Sequence, residues 1–189
     1  MRLVFVLITC LAIFPVFGQW LLQPDLSQLS FMTIKNHKVA ENHQFKQFSG
    51  QFSDNLVSIA INLSSIDTNI AIRDQRMKEH LFRVTNYPEA TFTAKLNKQH
   101  ISVIKIGHNK RLKISGSIKL HGMSQSVNTE VLVAKLSENS IQVTSLQPLF
   151  IRAEDFALVE GINKLQQLAG LESIAYSVPL SFSLTFNQS

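Results

Sequence analysis

The sequence predicts a mainly β, single-domain protein: about eight antiparallel strands closed into a barrel, with one or two short helices. Three observations carry this prediction. Apolar and polar residues alternate with period two over several long runs, which places one face of each strand in an interior and the other in water. Turn-forming clusters separate the runs at hairpin spacing. Only two stretches depart from the alternation for a helical rhythm. Closure follows because a sheet of this size with one apolar face removes its unpaired edges by joining them.

The first eighteen residues read as a leader. Arg2 is followed by an apolar run over 3–14 and then by Pro15-Val16-Phe17-Gly18, the layout of a secretory signal peptide cleaved near Gly18. The run is too short to span a bilayer before Pro15 interrupts it. Division into a signal peptide at 1–18 and one domain at 19–189 is therefore expected, with the mature protein periplasmic or secreted. Loss of the leader removes Cys10, the single cysteine. Disulfides, thiol catalysis and thiolate metal sites then drop out.

The strongest strand is the last. Tyr176, Val178, Leu180, Phe182, Leu184 and Phe186 alternate with serine, proline and threonine. The same rhythm runs through Val57, Ile59, Ile61 and Leu63, and through Leu112, Ile114, Gly116, Ile118 and Leu120. Shorter strands are expected at 29–34, 91–96, 101–106, 127–136 and 141–146. Hairpin loops are expected at 107–110, 121–124 and 137–140.

Residues 160–170 place Ile162, Leu165, Leu168 and Ala169 on one side and end in Gly170, which reads as a short helix with a glycine C-cap lying across one barrel end. Residues 64–82 hold two aspartates, three basic residues and His80 between strands. Asp67 or Thr68 suits a helix start, Met77 and Leu81 share a face, and Asp74 with Lys78 and Glu79 with Arg83 stand at helical ion-pair spacing. This segment reads as a helical crossover, and Tyr87-Pro88 imposes an extended exit from it. A catalytic reading would need Asp67 or Asp74 to meet His80 in a cleft, and no nucleophile elbow or paired-acid motif accompanies them.

Apolar residues make up 45% of the chain and charged residues 16%, with thirteen phenylalanines against seven glycines, so a large apolar interior is expected rather than disorder. The formal charge of +5 is too modest for nucleic acid, and no basic run is interleaved with aromatics. Residues 90–129 nonetheless contain no acid, and Lys110, Arg111 and Lys113 stand out there as candidate contacts for anionic lipid headgroups. Histidines 37, 43, 80, 100, 108 and 121 form no metal-ligand spacing, so no metal is predicted.

In order along the chain, Trp20, Phe48-Ser49-Gly50, Ser65-Ile66-Asp67-Thr68, Arg73-Asp74, Leu81-Phe82, Tyr87-Pro88-Glu89-Ala90-Thr91-Phe92, Ile118-Lys119-Leu120-His121-Gly122 and Arg152-Ala153-Glu154-Asp155-Phe156 resemble the YceI-like family of exported lipid-binding proteins. The likeness runs over most of the mature chain. It implies a lipocalin-like eight-stranded antiparallel barrel with an elongated apolar cavity for a polyisoprenoid chain, and a carrier or sequestering protein rather than an enzyme. It also implies that the interior is a cavity, with a bound isoprenoid lipid or quinone as ligand and no cofactor. Phe31, Phe48, Phe52, Ile59, Ile61, Phe92, Leu112, Ile114, Val178, Leu180 and Phe182 are then the expected wall, and Ile162, Leu165 and Leu168 the lid. The chain departs from the family in two places: Ala157 stands where a glycine is expected, and 158–173 is an insertion. A packed barrel that works by protein contact and a small hydrolase are the alternatives from other classes. Oligomeric state is not legible, and transient contact with a membrane surface is expected of a lipid carrier.

Overall fold

The computed structural model describes residues 18–188. The predicted leader, apart from Gly18, lies outside them. The strands are β1 (Trp20–Leu22), β2 (Gln28–Lys35), β3 (Val39–Phe45), β4 (Phe48–Ser53), β5 (Leu56–Asn62), β6 (Ile66–Asp67), β7 (Glu89–Lys95), β8 (Asn109–Leu120), β9 (Met123–Ser137), β10 (Ser140–Ser145), β11 (Leu149–Arg152) and β12 (Ser177–Gln188). The helices are α1 (Ala71–Arg76), α2 (Gln99–Ser102) and α3 (Val159–Ala169). All pairings are antiparallel, and the sheet closes as an eight-stranded barrel. The short β1 completes the ring, pairing β4 through Trp20↔Phe52 and β12 through Trp20↔Gln188.

Register follows the alternation. Val131 and Val133 on β9 are buried while their neighbours are more exposed, and on β8 Leu112, opposite Val131, and Ile114, opposite Thr129, do the same. The hairpin between β8 and β9 is a two-residue turn at His121 and Gly122, both with positive φ, the form that matches strand twist. Asp54 and Asn55 make the equivalent turn between β4 and β5.

Several expected elements need correction. Residues 101–106 are not a strand: Asn97 Oδ1 accepts from the Gln99 N–H and starts α2, whose Ile101, with Ile104 just beyond it, is buried at a three-residue spacing. An apolar pattern at 101, 103, 104 and 106 suits either reading, and the cap decides it. Residues 107–110 are accordingly no hairpin loop but a run-in to β8, with Gly107 N–H donating to the Lys135 carbonyl. The crossover helix starts at Ala71, without a side-chain cap. Asp67 instead accepts from the Asn69 N–H and pairs with Lys46 at 2.6 Å. The expected Asp74–Lys78 and Glu79–Arg83 pairs do not form among the described residues. Asp74 turns back to accept from Thr68, and Met77–Leu81 is π-helical, which resets the side-chain spacing. Residues 20–22, 39–45, 48–53 and 149–152 are strands that the alternation did not reveal.

The two barrel ends differ. At one, Trp20 is buried beneath the Lys135 ammonium, 5.2 Å from the ring centroid, and α2 is fastened to the β4–β5 turn by Asn55 Oδ1. At the other, α1, the π-helical turn and α3 lie over the barrel.

Candidate functional site

Two cavities occupy the interior, stacked along the barrel. The lower has a volume of ≈ 170 Å³, and Thr91 and Thr129 are its only polar lining residues among those described. The upper, of ≈ 530 Å³, lies between the barrel and the helices. They share Ile61, Leu120, Ile151 and Leu180, so these four side chains form the neck between two chambers.

The expected wall residues divide between them. Phe31 and Val178 line the upper chamber, Ile61 and Leu180 the neck, and Phe48, Phe52, Ile59, Phe92, Ile114 and Phe182 the lower chamber. Leu112 lines neither. It is buried in the hydrophobic core toward the Trp20 end of the barrel. Period-two alternation gives the face of a residue but not its height in the barrel.

The helical lid is built by close approach. Ile162, Leu165 and Leu168 of α3 all line the upper chamber, as do Met77 and Leu81 below them. The helix ends as its sequence dictates, with Gly170 in the left-handed conformation donating to the Gln167 carbonyl. Ala157, which precedes α3, also adopts this conformation at φ 53°, so the backbone there keeps the geometry a glycine would favour.

The upper chamber carries a polar cluster on one side. Glu41 bridges Lys35 at 2.9 Å and Arg73 at 2.7 Å. Arg73 is fixed further by donating to the Thr68 hydroxyl and carbonyl at 2.8 and 2.7 Å, and Thr68 in turn donates to Asp74. The hydrogen bond from Lys35 holds the Glu41 carboxyl below its ordinary range, an effect burial opposes and Arg73 assists. His43 stands beside it, 2.8 Å from the Thr33 hydroxyl and edge-on to Phe31. Burial, reinforced by Arg73, pushes its pKa down and keeps the imidazole neutral. Arg76 reaches from α1 to the Leu168 carbonyl of α3 at 3.1 Å.

The sequence pointed to other polar residues. Lys110, Arg111 and Lys113 are exposed, line neither chamber, and lie toward the Trp20 end of β8; Lys113 faces Glu130 at 3.6 Å. Asp67, Asp74 and His80 line neither chamber, and among the described residues the one ion-pair contact of His80 is Glu79, at 3.9 Å. The Lys35–Glu41–Arg73 cluster escaped the sequence reading because its members come from β2, β3 and α1. Its one local signal was the polar-apolar alternation of His43 and Phe45 with their neighbours, hidden by the polarity of 39–45.

Comparison with known proteins gives a consistent placement. The model of the YceI-like domain matches residues 20–186. Curated relatives include Protein YceI of Salmonella arizonae and of Salmonella newport, each 36% identical over 94 residues, 46% of this chain. The match spans about half, 45%, of those relatives' length. Among solved structures, a polyisoprenoid binding domain from Saccharophagus degradans, implicated in plant cell wall breakdown, superposes with a TM-score of 0.88 at 32% identity, covering 90% of this chain and 98% of that one. BcnA of Burkholderia cenocepacia shares the fold, with a TM-score of 0.67 at 20% identity over 87% of this chain and 98% of its own.

Proposed function

The chain belongs to the YceI-like domain family, and from that premise we propose that it is an exported binding protein holding an isoprenoid-type or fatty lipid in its barrel for transport, storage or sequestration. One observation carries the reading: a closed barrel whose interior is a two-chambered apolar cavity rather than a packed core. A buried chain gains about 0.8 kcal/mol per methylene with few polar partners required, so a tail threading the neck has ample driving force. The likeness to a polyisoprenoid binding domain supports this ligand class. Binding without catalysis fits the separation of Asp67, Asp74 and His80 from both chambers. The leader-like start supports a periplasmic or secreted location. Ile70 and Ile72 are exposed, at 46% and 54%, and line the upper chamber, which suits transient contact with a membrane surface during lipid exchange.

The test is mass spectrometry of an organic extract of the mature protein, exported and purified without detergent. A stoichiometric isoprenoid or fatty lipid is expected. A lipid-free protein that also refuses such lipids on addition would sink the carrier reading and favour a barrel acting through protein contacts.

A further inference from the structure

The two chambers are chemically graded. Among the described residues, threonines are the only polar side chains lining the lower one, whereas the upper one is lined by Lys35, Arg73, Arg76, Glu41, His43 and Thr33. Three of these are cations and one is a carboxylate, with the imidazole neutral. Glu41 is already shared between Lys35 and Arg73, so both of these cations have a carboxylate partner, and Arg73 places two further donors on Thr68. Asp74 is engaged by Thr68. Arg76 differs: it is half-buried, its one hydrogen bond is to the Leu168 carbonyl, and it has no ion pair among the described residues. A guanidinium has five N–H donors, so most remain for another acceptor. A cation without a carboxylate above an apolar chamber is unfavourable unless something anionic or water completes it.

We propose that the lid end binds the acidic head of a single-headed amphiphile, a carboxylate or phosphate accepted chiefly by Arg76 with help from Lys35, so that the tail enters through the neck with the head under the lid. This rests on the lipid-binding reading and adds the charge and orientation of the ligand. The head site then lies at the opposite end from Lys110, Arg111 and Lys113. Arg76 also suits the C-terminal end of α3 as a simple helix-end cation. That role alone predicts lost lid stability with no selectivity for the head.

The experiment compares matched probes on the purified mature chain: palmitic acid against methyl palmitate, and geranylgeranyl phosphate against geranylgeraniol, by calorimetric titration at low salt. The acidic member of each pair is expected to bind about tenfold tighter or more, the range of a charge-assisted hydrogen bond. That ratio should collapse in Arg76→Gln while the neutral probes keep their affinity, shrink in Lys35→Gln, which leaves the α3 contact intact, and persist in part in Arg76→Lys. A preference confined to the carboxylate or to the phosphate pair upholds the site and names its source. Equal binding of acidic and neutral probes, or a ratio unmoved by both glutamine variants, overturns the inference and leaves the carrier reading standing. Failure of all four probes to bind removes the carrier reading and this inference together.

Discussion

Gly161 of the lid helix sits directly on Leu81: a Cβ at this glycine would lie 2.8 Å from the Leu81 Cα and 2.7 Å from the His80 carbonyl oxygen. These are backbone atoms and cannot swing aside. The glycine is therefore what lets α3 settle on the π-helical turn and close the upper chamber. In an open helix Gly→Ala gains up to about 1 kcal/mol. Here overpacking, costing about 1–3 kcal/mol, outweighs that gain. Gly161→Ala is expected to lift the lid, read as faster amide hydrogen exchange over 159–169 with the barrel strands unchanged. Protection equal to that of the parent would show that the helices adjust around a methyl group.

Ala157 sits at φ 53°, where an L-residue with a Cβ is strained by about 1–2 kcal/mol. Glycine removes that strain but loses about 0.4–1 kcal/mol through its freer unfolded chain. The balance favours Ala157→Gly by up to about 1.5 kcal/mol, a rise in melting temperature of up to about 6 °C for a chain of this size. A lower melting temperature would contradict this account of the turn.

Leu180 stands at the neck between the chambers. Leu180→Trp is expected to close the passage at a stability cost of about 1–3 kcal/mol. Short chains should still bind in the upper chamber while long ones lose affinity. Equal retention of long chains would mean that the tail does not pass this point.

His43 and His121 both have pKa values depressed by burial; at His121, packed on Tyr87 with ring centroids 4.4 Å apart, the Phe156 backbone partly opposes the shift. A depressed histidine contributes stability that is fully present above the unfolded value of about 6.5 and is lost as pH falls toward the folded value. Stability is therefore expected to decline from about pH 7 to pH 5. The slope over that window should be shallower in His43→Leu. Asp67, held at about 2 chiefly by its hydrogen bond from Lys46, and Glu41, also lowered, add a second decline below about pH 4. Denaturant midpoints measured across this range check both windows, and an unchanged slope in the variant would remove His43 from the account.

The strands visible in the sequence were those whose two faces differ in polarity. β12 was legible from Val178 to Phe186 for this reason, and the helix at 159–169 from its apolar stripe and Gly170. Strand β3 was not, because its polar residues face the upper chamber as well as solvent: Glu41 and His43 serve an interior that is itself polar on that side. Residues 101–106 carry one apolar pattern that suits two periods, and the contact from the Gln99 N–H to Asn97 Oδ1 accompanies the helix.

The sequence by itself determined the antiparallel barrel, its family and the apolar character of its interior, since alternation and ordered motifs are properties of the chain read in a line. Only the tertiary structure decided that this interior is two chambers joined at Ile61, Leu120, Ile151 and Leu180, and that Lys35, Glu41, Arg73 and Arg76 converge under the lid. Depth within a barrel and the meeting of side chains from β2, β3 and α1 depend on strand register and helix docking. Those are set by long-range pairing, which no local pattern records.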